Sequence, residues 1–218
     1  MTGIFNSRPP IPRYTETWDV DQVLKYILTL PENKDLSLKQ LTHKVTMLMA
    51  LTSACRSSEI CKLDMNYMNV ERDEVTFTLT ELSKTRKASD KPLEMKFPKH
   101  EVGKLDVMAC IIAYMDKTNN VREQESKFLS SFVKPHKAVK PCTILGWIKN
   151  LLTDAGVNTS VFKPHSTRGA CTSKENKLGL SVQQIMQKAN WKSVSTFQKF
   201  YNKPVHGNDL FAEKVLEM

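Results

Sequence analysis

The sequence has no CxxC pair, no apolar run long enough to span a bilayer, no internal repeat and no low-complexity tract. Its five cysteines, Cys55, Cys61, Cys110, Cys142 and Cys171, form an odd and widely spaced set, several within apolar stretches such as Leu51 to Cys55. That pattern argues against a disulfide framework or a zinc module and reads as reduced core thiols of an intracellular protein. A membrane helix needs about 18 consecutive apolar residues, and the N-terminus lacks the charged, apolar and small-residue zones of a secretory signal. Neither a membrane partner nor export is expected. Acidic residues are in deficit as well: 23 Asp and Glu stand against 32 Lys and Arg, for a formal net charge of +9 and a pI near 9.3. Such an excess favours a polyanion, nucleic acid first, although it also serves simply to keep a protein dispersed. At 218 residues the chain suits one domain that buries a full core without covalent staples.

What is present is mainly helical periodicity. Residues 1 to 17, with Pro9, Pro10 and Pro12, read as an extended arm or linker. Asp19 is placed to cap a helix through Val20, Val23, Leu24, Ile27 and Leu28 that stops before Pro31. Leu38 to Leu63 predicts two helices joined near Ser53 to Arg56. Alternation over Val75 to Leu79 and again over Leu93, Met95 and Phe97 predicts a β-hairpin with a long basic tip, closed by Pro98. Helices follow over Leu105 to Met115, from Thr143 to near Gly156, over Ser166 to Leu178 and over Ser181 to Ala189. The expected fold class is mainly α with a small antiparallel β-sheet, an order of elements that does not by itself name a function.

Five features stand in order along this framework: Arg56 in Ala54-Cys-Arg-Ser-Ser-Glu-Ile60, Lys84 in the hairpin tip, His165-Ser-Thr-Arg168, Trp191, and Tyr201 in Phe197-Gln-Lys-Phe-Tyr201. Each is common alone, but the ordered set resembles the tyrosine recombinase (phage integrase-like) family over about residues 41 to 203. Lys163-Pro-His-Ser-Thr-Arg-Gly169 and Asn190 to Tyr201 are similar to recombinases of DIRS-type retrotransposons and related eukaryotic mobile elements. Ile11-Pro-Arg-Tyr14 and Thr17-Trp-Asp-Val20 also resemble the stretch preceding their catalytic part. The resemblance implies the fold of DNA breaking-rejoining enzymes. It also implies transesterification: Tyr201 attacks the scissile phosphate, leaves a 3′-phosphotyrosine and frees a 5′-hydroxyl, without metal or nucleotide cofactor.

The chemistry of each side chain suits these roles. A phosphodiester gathers negative charge on its non-bridging oxygens as it reacts, and Arg56 and Arg168 supply two guanidinium forks to hold it. Alone, Arg56 would read equally as an ion pair with Glu59; in context Glu59 steadies the arginine or its helix. His165, three residues before Arg168, shares its face if both open one helix. An imidazole there either accepts the tyrosine proton or donates to the phosphate. Lys84 is placed to protonate the leaving 5′-oxygen, with Arg86, Lys87 and Lys91 beside it and Lys163 near His165 as phosphate-tracking charges; the alternative is a solvated basic loop. Trp191 can donate its indole N–H or brace the tyrosine segment, and by composition alone it would be core. Tyr201 has a neighbourhood that Tyr14, Tyr26, Tyr67 and Tyr114 lack. The gap from Trp191 to Tyr201 is one residue longer than the integrase pattern, which puts the register of the tyrosine helix in question.

By the same resemblance, residues 1–17 would link to a missing N-terminal DNA-binding domain, 18–207 would be catalytic, and 208–218 a C-terminal helix that packs at home or exchanges in trans. Expected partners are double-stranded DNA and further copies of the chain, dimer to tetramer, in the nucleus if the source is a eukaryotic mobile element. A type IB topoisomerase-like nicking and closing enzyme, and a domesticated DNA-binding module without catalysis, are the competing readings.

Overall fold

The computed structural model describes residues 12–81, 91–191 and 193–206. The first helix, α1 (Val20–Thr29), begins where the Asp19 carboxylate accepts the Asp21 N–H at 2.9 Å, and its buried Val20, Val23 and Ile27 follow the expected stripe. In α2 (Leu38–Ser53), Ser37 and Gln40 cap the start reciprocally and most residues are buried. Burial all round makes α2 the central rod of the fold. Lys44 is wholly buried within it, its ammonium donating to Asn33 Oδ1 at 2.7 Å.

Ala54 ends α2 in the left-handed region (φ 51°), and the chain turns there into the one-turn α3 (Ser57–Ile60). The join expected near Ser53 to Arg56 is present, but the second helix stops at Ile60 instead of running to Leu63. Three antiparallel strands follow, β1 (Met68–Val70), β2 (Glu74–Leu79) and β3 (Leu93–Pro98), in that spatial order. The hairpin pairs Val75 with Phe97 and Phe77 with Met95, turning Val75, Phe77 and Leu79 inward. Strand β1 was not expected, because three largely exposed residues carry no alternation to read. The hairpin tip with Lys84, Arg86 and Lys87 lies outside the described residues, as do 1–11 and 208–218; Lys91, at the foot of the hairpin, is exposed.

Next come α4 (Val107–Thr118), capped by Asp106, and α5 (Pro141–Asp154). The latter starts two residues before Thr143 because Pro141 suits the first helical position. A 3₁₀ turn (Pro164–Ser166) runs directly into α6 (Thr167–Lys177), and α7 (Val182–Lys188) and α8 (Val194–Phe200) follow. The rings of Tyr114, Phe128, Phe77 and Phe97, all fully buried, chain α4 to the sheet with centroid spacings of 5.2, 5.0 and 6.1 Å.

All five cysteines are free, but the expectation of core thiols holds only for Cys55, Cys110 and Cys171. Cys61 is half-buried, and Cys142 is exposed because the first turn of α5 faces solvent. Burial pushes the Cys55 thiol up to about 11 and that of Cys110 up to about 12, so both stay protonated and unreactive. Among the described residues no helix is long and apolar enough to cross a membrane.

Residues 14–18 lie against the body as a strap. Tyr14 packs on Phe162 at 6.0 Å, and Trp18 Nε1 donates to Ser166 Oγ at 2.9 Å. Thr17 forms a parallel bridge with Val205, its N–H donating to Pro204 O at 2.8 Å. On another face, Leu24, Leu105, Leu178 and Leu180 line a groove of about 580 Å³ that also contains Glu175.

Glu175 Oε2 has no hydrogen-bond partner among the described residues. Burial raises its carboxyl above the ordinary range, with Lys188 opposing. A carboxyl whose folded pKa is raised stabilises the fold below its unfolded pKa, and that contribution is lost as pH rises through the folded value. Glu175→Gln is therefore expected to raise stability at about pH 7, with the advantage shrinking as pH falls through the raised folded value and gone below the usual glutamate value of about 4.3. Urea denaturation of both proteins across that range checks it.

Candidate active site

Arg56 precedes α3 and is fixed by the glutamate three residues on. Its N–H donates to Glu59 Oε2 at 2.8 Å, and its Nη1 donates to Glu59 Oε1 at 2.9 Å. The Glu59 side chain is only 2% exposed against 26% for Arg56, so the carboxylate is an interior brace and the guanidinium reaches the surface of a cleft. This is an ion pair, as the simplest reading of Arg56 foresaw, and the same pair aims the arginine. The left-handed Ala54 two residues earlier turns the chain out of α2 at this point, a conformation uncommon for a residue with a Cβ.

Arg168 is the second residue of α6 and is buried. Its Nη2 donates to Ala189 O, while Nε and Nη1 have no hydrogen-bond partner among the described residues. The guanidinium carbon lies 4.6 Å from the centroid of the Trp191 ring and 5.8 Å from that of Tyr201. Burial, then repulsion from Arg56, pushes the Arg168 pKa down, with Glu59 and Tyr201 opposing. Arginine nonetheless stays charged. Two guanidiniums near enough to repel, with the one Glu59 carboxylate acting on both, form a site whose electrostatic deficit an anion would relieve.

Trp191 is buried and braces the tyrosine. Its ring lies 4.4 Å from that of Tyr201 at 31° and 5.5 Å from that of Phe197. Of the two roles foreseen for Trp191, packing is the one these contacts express. Helix α8 ends at Phe200, and Tyr201 is its C-cap, no longer helical (φ −124°, ψ −29°) but still bonded through its N–H to Phe197 O at 2.9 Å.

His165 sits on the 3₁₀ turn ahead of α6 instead of inside the helix, and it is exposed. A cleft of about 350 Å³ is lined by Arg56, Ser57, His165, Arg168 and Tyr201, with Cys55 in its wall. A second cavity of about 230 Å³ shares His165 and Tyr201 and adds Arg13, Tyr14, Gly169 and Lys203. Four of the six side chains singled out for chemistry thus border one space, Trp191 supports it from behind, and Lys84 lies outside the described residues. Lys163, foreseen as a phosphate contact, donates through Nζ to Thr159 O at 3.0 Å and Ser160 O at 2.8 Å, which ties its charge to the preceding loop. Among the described residues no group of three or more His, Cys, Asp or Glu is arranged to hold a metal ion.

Sequence reasoning passed over Arg13 and Lys203, which line the second cavity, and Ser173. The Ser173 Oγ donates to Tyr201 O at 2.6 Å and accepts the Lys203 N–H at 2.9 Å. The available signal was the small-residue run Gly169-Ala-Cys-Thr-Ser173, which buries the first turns of α6 all round and admits a close neighbour.

No curated protein matches the sequence. The fold is similar to that of the XerA recombinase, with TM-score 0.64 and 18% identity over 97% of this chain and 66% of that one. It is also similar to the XerH site-specific recombinase bound to its difH substrate, with TM-score 0.63 and 12% identity over 93% of this chain and 53% of that one. The Tn1549 transposon integrase in complex with transposon right end DNA gives TM-score 0.61 and 12% identity, over 99% and 70%. The chain therefore spans 66% and 53% of the length of the two Xer recombinases. The phage integrase family model matches residues 18–206, nearly the whole described body. With the family pattern running from Trp18 to His206, this chain belongs to the phage integrase family, the tyrosine recombinases.

Proposed function

We propose that this chain is the catalytic domain of a site-specific DNA recombinase or integrase that cuts and rejoins strands through a 3′-phosphotyrosine. The observation that carries this reading is the single cleft bordered by Arg56, His165, Arg168 and Tyr201, in which two guanidiniums repel each other. The Tyr201 phenolic oxygen attacks phosphorus, a P–O bond forms, and the bond to the 5′-oxygen breaks. Arg56 and Arg168 hold the non-bridging oxygens as charge builds, and Glu59 keeps Arg56 aimed. His165 either takes the tyrosine proton or donates to the phosphate. Lys84 is assigned to protonate the departing 5′-oxygen, with Arg86, Lys87, Lys91 and Lys163 following the DNA backbone. Because the phosphoester bond energy is kept in the tyrosyl link, a second 5′-hydroxyl can reverse the step on another strand. No nucleotide or metal is needed to drive it.

Duplex DNA is the assigned substrate, bound chiefly through phosphates and with affinity that falls steeply as salt rises. Lambda integrase, to which the fold is also similar as a dimer bound to a core site (TM-score 0.56, 11% identity) and as a tetramer bound to a Holliday junction (TM-score 0.51, 12% identity), supports assembly of several copies on DNA. The Lys163 to Gly169 and Asn190 to Tyr201 segments favour a DIRS-type or related eukaryotic mobile element, hence a nuclear protein. Residues 1–17 are assigned to a linker from a DNA-binding domain, its last residues packed on the body as the strap, and 208–218 to a segment that exchanges between subunits. The apolar groove between α1 and α6, rimmed by Lys99, Lys174 and Lys188, suits the apolar and acidic Asp209 to Glu217.

On a nicked duplex whose short 5′ fragment diffuses away, the wild type is expected to accumulate a covalent protein–DNA adduct visible on a denaturing gel. Tyr201→Phe should abolish the adduct while DNA affinity by fluorescence anisotropy changes by less than about threefold. Relaxation of supercoiled plasmid by a monomer, without exchange of partners, would assign the chain to the nicking and closing enzymes instead. Deletion of residues 208–218 is expected to lower the mass of the DNA-bound assembly by light scattering, and an unchanged assembly would refute exchange of that segment.

A further inference from the structure

Tyr201 stands just past the end of α8, so its carbonyl is among those left without an intrahelical donor. Pro204, three residues on, has no N–H to offer it. The carbonyl is met from another element: Ser173 of α6 donates to it at 2.6 Å, and the same hydroxyl oxygen accepts the Lys203 N–H at 2.9 Å. Ser173 is 5% exposed. One buried hydroxyl thus uses its single donor and a lone pair to hold the backbone on both sides of Asn202.

The helix that offers this hydroxyl also carries Arg168, five residues earlier. Gly169, four before Ser173 and on the same face, lies against the same residue: a Cβ built there would sit in ordinary van der Waals contact, 3.8 Å from both Tyr201 Cδ1 and Tyr201 O. The strap adds a second fastening just beyond, where Thr17 N–H donates to Pro204 O and His206 N–H donates to Thr17 O. We propose that Ser173 is a positioning residue that fixes the Tyr201 backbone to the Arg168 helix, and so sets the distance between nucleophile and held phosphate. It takes over the task that helical hydrogen bonds would perform if the tyrosine lay inside α8. This rests on the reading of Tyr201 as the nucleophile.

Misplacing a reacting group by about 1 Å costs on the order of 10²-fold in rate. Ser173→Ala, which removes donor and acceptor together, is expected to slow single-turnover adduct formation on the nicked duplex by about 10- to 100-fold. DNA affinity should stay within about twofold. Ser173→Thr, which keeps the hydroxyl, should recover most of the rate, and Ser173→Cys, a near-isosteric weak donor, should fall between. Thr118→Val serves as control: it removes a buried helical hydroxyl on α4 that donates to Tyr114 O at 2.8 Å and does not line the cleft. It is expected to lower the melting temperature without slowing adduct formation. The proposal is overturned if Ser173→Ala reacts at the wild-type rate, if neither Thr nor Cys is faster than Ala, or if Thr118→Val slows in proportion to its lost stability. Should the wild type give no adduct, or Tyr201→Phe retain it, the nucleophile assignment is what fails. A wild-type adduct that requires Tyr201 but is indifferent to Ser173 removes only the tether.

Discussion

A buried guanidinium is the constraint around which this domain is organised. Arg168 lies in the interior beside a second arginine, and its desolvation is only partly offset by the Ala189 carbonyl, the Trp191 face and the nearby Glu59 carboxylate. Holding a charge in such a place requires rigid surroundings, since a relaxed site would let water in and lose the electrostatic tension that favours an anion. The rigid parts are at hand: α2 runs through the core, α6 packs against it with buried small residues, and the Trp191 ring packs against both Arg168 and Tyr201. Stability and chemistry therefore share the same atoms. The groups that make the interior tolerate Arg168, the Trp191 face and the Glu59 carboxylate, stand behind the cleft that Arg168 and Tyr201 border.

The two halves of the site reach it by different routes. Arg56 is delivered locally, by a left-handed residue that ends one helix and a glutamate that caps the next. Arg168 and Tyr201 are delivered by tertiary packing between α6 and the chain after α8, joined through one serine hydroxyl. Local devices survive small repacking of the core, whereas the tyrosine depends on the spacing of elements remote in sequence.

How much was legible follows from the same division. Periodicity and caps placed most helices and the hairpin because Asp19, Ser37 and Ser181 are side-chain caps and Val75, Phe77 and Leu79 alternate strictly. Strand β1 was invisible, being short and exposed. The linear order of Arg56, His165, Arg168, Trp191 and Tyr201 was readable as a pattern, but its convergence was not, since a one-dimensional order carries no distances. The brace role of Trp191 was half visible from its bulk. Ser173 was hidden because a serine in a helix is ordinarily neutral, and its partner lies 28 positions away. Cys142 was misread because an apolar neighbourhood in sequence, Ile144 and Leu145, does not fix which side of a helix a residue occupies.

The strap at residues 14–18 has a practical corollary for anyone trimming the protein. Residues before Val20 resemble a dispensable leader, with prolines and little periodicity. Yet cutting at Asp19 would strip the Tyr14 hydroxyl from the Lys163 N–H, the Trp18 indole from Ser166 and the Thr17 backbone from Pro204 and His206. A boundary drawn by helix content alone would remove the buried Trp18 from the core together with the outer wall of the chamber behind the tyrosine.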